Sequence, residues 1–342
     1  MKTSDITVVF QGAFKPYITR EGDAFLRNIR LTRQVLPGAH IILSTWEGTD
    51  LPAKLGVDAV VLSPDPGPLA TLKLDDDKAN NANRQLASTR AGLDAVRTPY
   101  AVKLRTDCFL EHGGFLDFAA EQRRRDGGRE RLLACSFFTL DPAMFERLPY
   151  HLSDWFHFGP TALLRAYWSA APVDALDARF YESHPHAPGS SCFERRFRAR
   201  FAVEQHLCMQ FAAARGYTCP EILNDASAPV LRDHVRFLAH EVMLLDPWQI
   251  GLVFPKYAWV GRSRFQCMNN LMHLDWLALQ ERELSGFPDA AGLRRLIQER
   301  KRSKRLYALA FRHSRPLHSL LFDPQRGSTP VRRVASLIAR HL

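Results

Sequence analysis

Tyr100-Ala101-Val102-Lys103-Leu104-Arg105-Thr106-Asp107 reads as a buried strand that delivers charged residues to a loop at its carboxyl end. Working back from it, residues 83–95 have helical character, and residues 58–62 form a short apolar run. Ala39-His40-Ile41-Ile42-Leu43-Ser44 is another buried strand, ending in the polar loop Thr45-Trp46-Glu47-Gly48-Thr49-Asp50. Residues 23–36 place Phe25, Leu26, Ile29 and Val35 near helical spacing, and Pro37-Gly38 stops that helix. Ile6-Thr7-Val8-Val9-Phe10-Gln11-Gly12 is the first strand. Continuous apolar strands alternating with helices predict an α/β fold with a mostly parallel central sheet covered on both faces. Ligands of such sheets bind at the carboxyl ends of the strands.

After residue 130 the alternation is less regular. Residues 132–138 read as a further strand. Residues 150–200 are rich in aromatics, His and Pro without a clean period. Residues 201–214 read as a helix stopped by Gly216. Two basic amphipathic segments follow, 291–312 and 331–341, separated by Pro316, Pro324 and Gly327. The expected organisation is a main α/β domain over 1–260 and a helical, basic segment over 261–342.

The chain has 342 residues, 46% of them hydrophobic and 24% charged, enough for a sizeable core. No uninterrupted apolar run is long enough for a membrane-spanning helix. Residues 1–5 lead straight into a strand, without the apolar core of a secretory signal. Six cysteines, at 108, 135, 192, 208, 219 and 267, show no C-x-x-C pair and no zinc-type spacing, which suits a reducing compartment. Residues 291–342 carry thirteen Lys and Arg against only Glu299 and Asp323, so the whole excess of +10 lies there and the body is close to neutral. A neutral body argues against a nucleic-acid partner despite the high pI.

No G-x-G-x-x-G follows the first strand, and no Walker loop or G-x-S-x-G occurs, which weakens dinucleotide, P-loop and α/β-hydrolase readings. What the sequence does contain is Gln11-Gly12, then Leu43-Ser44-Thr45-Trp46-Glu47-Gly48-Thr49-Asp50, Asn83-Arg84-Gln85, Lys103-Leu104-Arg105-Thr106-Asp107 and Ser153-Asp154-Trp155-Phe156-His157-Phe158-Gly159. In that order these pieces resemble the WavE lipopolysaccharide-synthesis family, over roughly residues 5–210. The order of strand, acidic turn, Asn-headed helix and Asp-ended strand is similar to that of GT-A glycosyltransferases. The resemblance implies a GT-A-like (Rossmann-like) fold and transfer of a sugar from a nucleotide-sugar donor to a glycan or lipid-linked glycan acceptor, as in lipopolysaccharide or capsule.

Such a transfer needs positive charge against the leaving phosphates and a carboxylate to take the acceptor's proton. In most GT-A enzymes an Asp-x-Asp holds Mg2+ or Mn2+ here; this chain has Arg105-Thr106-Asp107, with a guanidinium in place of the first carboxylate. Either Asp107 alone anchors a metal through the phosphates, or Arg105 supplies the charge itself, or the two form an internal ion pair. The resemblance places Gln11, Gly12, Glu47, Asp50, Asn83, Arg84, Arg105 and Asp107 beside the nucleotide-sugar, although Glu47 and Asp50 also fit an ordinary solvated turn. Asp154, Trp155 and His157 suit a sugar pocket with aromatic faces and polar edges; a core aromatic cluster with Asp154 as a helix N-cap is the plainer alternative. Asp154 and Glu204 are the candidate catalytic carboxylates. Glu204 opens the 201–214 helix where inverting GT-A enzymes carry their base, and a first-turn Glu also simply favours the helix dipole.

The basic tail, 291–342, has three readings: an anionic membrane surface, a nucleic acid, or a solvated helix packed on the body with its charges outward. The interleaving of Leu306, Leu309, Phe311, Leu320, Leu321 and Phe322 with the charges favours the membrane surface. A cytoplasmic protein, peripheral on the inner face of the membrane, is the expectation. A sugar nucleotidyltransferase is the alternative enzyme, but Gln11-Gly12-Ala13-Phe14-Lys15-Pro16 is a poor match to the loop it needs. A non-catalytic polysaccharide-assembly protein is the other alternative.

Overall fold

All six side chains of Ile6–Gln11 (β1) are buried, because this strand runs through the middle of the sheet and is covered on both faces. The chain is described by a computed structural model over residues 1–14, 18–19, 22–75, 77–280 and 289–322. The other sheet strands are β2 (His40–Trp46), β3 (Ala59–Ser63), β4 (Tyr100–Arg105), β5 (Leu132–Cys135), β6 (Phe156–Pro160) and β7 (Val242–Leu245). Their order across the 7-stranded sheet is β7-β5-β6-β4-β1-β2-β3. Only β6 runs against the rest: it pairs antiparallel with β4 and β5, while the remaining pairs are parallel. This is the mostly parallel α/β sheet that the sequence predicts.

The helices are α1 (Ala24–Val35), α2 (Ala82–Asp94), α3 (Phe115–Arg125), α4 (Thr161–Tyr167), α5 (Val203–Ala213), α6 (Ala228–His240) and α7 (Ala290–Phe322). Successive strand residues point to opposite faces, so Phe10 meets Phe25 of α1 while Val9 faces α2. The register puts Val9, Lys103 and His157 in one row and Phe10, Leu104 and Phe156 in the next. On the second of these faces Phe115 of α3 packs edge-on against Phe156 and Phe158.

Past residue 260 the chain packs on the same core: Met272, Trp276, Leu277 and Ile297 belong to one cluster with β1, and the Trp276 indole donates to the carbonyls of Leu238 and Val242. One expectation is corrected: Pro316 does not end the basic helix, since α7 continues to Phe322. The predicted segment 331–341 lies outside the described residues.

Candidate active site

The reversed direction of β6 brings two distant parts of the sequence to one edge. β4 reaches the carboxyl edge of the sheet at Arg105, and β6 begins there, so the residues just before it, Asp154 and Trp155, arrive beside Arg105. Parity then decides which side chains face α2. Gln11 pairs with Ser44 on one side and Arg105 on the other, and one step inward Val9, Lys103 and His157 align.

Asp154 is the hub. It is nearly solvent-free, Gln85 of α2 donates to its carboxylate, and the Lys103 ammonium donates to its backbone carbonyl. The Arg105 guanidinium is 3.6 Å from the same carboxylate. Burial alone would raise the Asp154 carboxyl, but Lys103, Arg105 and the Gln85 bond outweigh it and hold it ionised below the usual carboxylate range. Burial lowers Lys103 to about 8, opposed by the Asp154 charge. Its ammonium also lies 4.7 Å from the centre of the Trp168 ring. For Arg105 the two carboxylates, Asp154 first, outweigh burial and keep the guanidinium firmly charged.

Arg105 also donates through Nε and Nη2 to the two oxygens of Asp107, both at 3.0 Å, and this pair is about one-third open to solvent. On its other side the guanidinium stacks 5.0 Å over Phe254. Phe254 belongs to an aromatic wall: Trp155 lies 4.4 Å from Phe254, 5.2 Å from Tyr257 and 5.0 Å from Phe138. Phe138 has a φ of 62°, which costs a non-glycine residue roughly 1–3 kcal/mol. Its carbonyl is held by His151 Nδ1 at 2.9 Å.

A carbonyl only accepts, so that bond puts the proton of His151 on Nδ1 and turns Nε2 toward Glu204, 3.5 Å away. Glu204 stands in the first turn of α5, partly exposed. The imidazole and carboxylate together can hold one proton between them. Burial pushes the Tyr167 hydroxyl well up, with the charges of Cys208, Asp154 and Glu204 adding to it. His157 is fully buried. Trp168 donates to its Nδ1 at 3.1 Å. Burial, with Lys103 adding to it, lowers His157 to about 3, so the ring is neutral.

Gln11, Gly12, Arg105, Asp107, Asp154, Trp155 and His157 are thus brought together. The Gln11 amide donates to Ser88 of α2 at 3.0 Å. Gly12 takes a φ of 123° where the chain leaves β1, a conformation that favours glycine. Glu47 and Asp50 sit on the exposed loop after β2 at the same edge; no described group bonds either carboxylate. Asn83 and Arg84 face other partners. Asn83 clasps the backbone of Val173 through both its amide atoms, and Arg84 makes a bidentate pair with Asp65 at 2.7 and 2.6 Å. Lys103, Gln85, Phe138, Phe254 and Tyr257 were not singled out from the sequence. Lys103 alone carried a signal, a charge inside an apolar strand.

The residues do not fit a resident divalent ion. Both Asp107 oxygens accept from Arg105, and no group of three or more His, Cys, Asp or Glu side chains gathers among the described residues. A cavity of about 390 Å3 lies elsewhere, at the amino-terminal edge of the sheet, lined by Tyr100, Phe158, Leu133, Met243 and Arg123 among others. Its carboxylate, Glu130, accepts from the Tyr100 hydroxyl and pairs with Arg123 at 3.6 Å.

The family model described as WavE lipopolysaccharide synthesis matches residues 6–306, and the chain belongs to that family. No curated protein matches it. Among solved structures it is similar to the 2-C-methyl-D-erythritol 4-phosphate cytidylyltransferase from Thermus thermophilus, at 12% identity over 66% of this chain and 89% of that one. The TM-score is 0.31, too slight a likeness to carry an argument. Among the described residues no helix is long and apolar enough to cross a membrane.

Proposed function

We propose that this member of a lipopolysaccharide-synthesis family is a glycosyltransferase, moving a sugar from a nucleotide-sugar to a glycan or lipid-linked glycan of a bacterial surface polysaccharide. One observation carries the reading: at the carboxyl edge of the sheet a permanently charged guanidinium, Arg105, is fixed between Asp107, Asp154 and an aromatic wall. Aromatic faces and carboxylate–guanidinium edges are what sugar rings and phosphates bind.

In this reading the acceptor hydroxyl oxygen bonds to the anomeric carbon as the bond from that carbon to the phosphate oxygen breaks. The proton passes to the Glu204–His151 pair, and the electron pair leaves with the nucleotide. Arg105 stabilises the charge that develops on the departing phosphate, a task a preorganised cation does without reorganising. Asp154 and Gln85 hold Arg105 in place, so Asp154 acts as a fixed counter-charge; an ionised, enclosed carboxylate is poorly suited to exchanging protons. Phe138 and Tyr257, half-buried and backed by the buried Trp155, offer the face for a sugar ring. Glu47 and Asp50, on the loop after β2, are proposed to meet the base or ribose.

The test is release of nucleotide from a panel of nucleotide-sugars, with and without Mn2+ and with chelator. Release from one donor, undiminished by chelator, is expected. No release from any donor, with or without an acceptor extract, would favour a non-catalytic assembly protein. Divalent metal that co-purifies tightly with the protein would contradict Arg105 as the resident positive charge.

A further inference from the structure

The rim beside this site exposes two tryptophans, Trp248 at 57% and Trp259 at 46%, although indoles are normally well buried. The Trp248 ring lies 5.8 Å from Phe137, and a Cβ at Gly261, two residues past Trp259, would meet the same ring. The segment between them carries Phe254 and Tyr257 of the site's aromatic wall and exposed Lys256, and exposed Arg262 and Arg264 follow Trp259. From residue 248 to 264 there is no Asp or Glu.

Helix α7 extends the same surface, since the Arg264 guanidinium lies 5.6 Å over the ring of Tyr307. The helix has two distinct faces. Inward, Ile297 and Phe311 are buried, and Arg300 and Lys304 bond to Asp275 and Asp141. Outward, Arg294, Arg302, Arg305 and Arg312 are exposed around Leu306 at 67% and Leu309 at 53%. Asp141 follows Phe138 on the loop after β5, so α7 is fastened to the rim that bears the site.

We propose that this face, Trp248, the 255–264 segment and the outer side of α7, docks on an anionic lipid bilayer. The guanidiniums meet headgroup phosphates, and the two indoles and two leucines enter the interfacial layer, where amphipathic rings are favoured. A nucleic acid would satisfy the charges but give the leucines no apolar partner. That the site then faces a lipid-linked acceptor rests on the transfer reading; the docking itself does not.

The experiment uses the full chain with phosphatidylcholine vesicles, with and without phosphatidylglycerol, read by co-flotation and tryptophan emission. Binding is expected to anionic vesicles, with a blue shift of emission, weakening as salt is raised. Arg302→Glu/Arg305→Glu/Arg312→Glu should lower that binding by about tenfold or more. Trp248→Ala/Trp259→Ala should abolish the shift and weaken binding. Both variants should keep the wild-type melting temperature and nucleotide release in solution. Equal binding to neutral vesicles, full binding by the charge-reversed variant, or an unchanged shift in the tryptophan variant would each overturn the proposal. So would duplex DNA that displaces the protein from vesicles and binds it more tightly. Vesicle binding without any donor turnover would leave the docking standing and remove the transfer reading.

Discussion

Lys103 shows how one buried charge sets conditions on both stability and activity. Its folded pKa of about 8 is below its ordinary value of 10.5, so the folded chain gives up this proton first. The unfolded state therefore binds more protons between about pH 8 and 10.5, and stability gains from this group as pH rises through that window. Activity goes the other way. Once the ammonium is lost, Asp154 keeps only Arg105 as a charged neighbour, and the guanidinium is drawn toward it and away from the phosphates. Donor turnover should fall above about pH 8 in a single one-proton step, and Lys103→Met should show a lower profile without that step. A wild-type profile flat through pH 9 would remove Lys103 from this role. Asp107 makes a second residue-scale prediction. Its pair with Arg105 is partly open, so Asp107→Asn should leave the fold intact while turnover drops at least tenfold, about 1.4 kcal/mol of transition-state stabilisation. A variant that keeps more than about a tenth of the rate would take Asp107 out of the site.

At the scale of elements, α2 is the member that ties the site to the sheet. A Cβ at Gly92 would come within 2.5 Å of Val9 Cγ1 and 2.8 Å of Ser44 Cβ, so the helix rests directly on β1 and β2. Nearer the start of the helix, on the same side, Ser88 holds Gln11 and Ser44, and Gln85 holds Asp154. Gly92→Ala would gain roughly 1 kcal/mol in helix propensity but should lose about 1–3 kcal/mol to overpacking, for a net loss of stability. Because the helix must lift, turnover should fall as well, by more than the fraction unfolded explains. A variant as stable and active as wild type would show that the close approach does not matter. This contact was invisible in the sequence, although the helix itself was not. Strands β1, β2 and β4 and helices α1 and α2 were legible because doubly covered parallel strands leave uninterrupted apolar runs between helical periods. The edge strand β3 shares the apolar run although Val60 and Leu62 are exposed. Strand β6 was not: Phe156, His157 and Phe158 mix aromatics with a buried imidazole, and nothing local shows that the strand runs backwards. The run Ser153 to Gly159 stood out all the same as ionisable groups among aromatics, and Asp154 and His157 are indeed buried there. The bidentate pairing of Arg84 with Asp65 depends on where two parts of the chain meet, which no local pattern encodes.

At the scale of the whole molecule, the basic helix after residue 290 is tied to the body through buried charges. Asp275 is almost completely buried, and its charge is balanced by Arg300 and Lys304, both from α7. Burial would raise its carboxyl, yet these two cations hold it below the usual range. Removing them leaves a buried carboxylate unpaired, which costs about 3–5 kcal/mol. Ile297 and Phe311, buried on the same side of the helix, contribute about 1.5–3 kcal/mol each. Against a net stability of roughly 5–15 kcal/mol for a folded chain, that loss is decisive. A chain ending at residue 289 should therefore be recovered unfolded or aggregated, with lost near-UV dichroism and no cooperative melt. The basic residues divide by face: Arg300 and Lys304 belong to the fold, while Arg302, Arg305 and Arg312 are free to serve a surface. Lys304→Met should accordingly lower the melting temperature by several degrees, and Arg305→Glu should not. If the chain ending at 289 instead melts cooperatively near the full-length temperature, α7 is an appendage after all, and its inner-face ion pairs contribute nothing to folding.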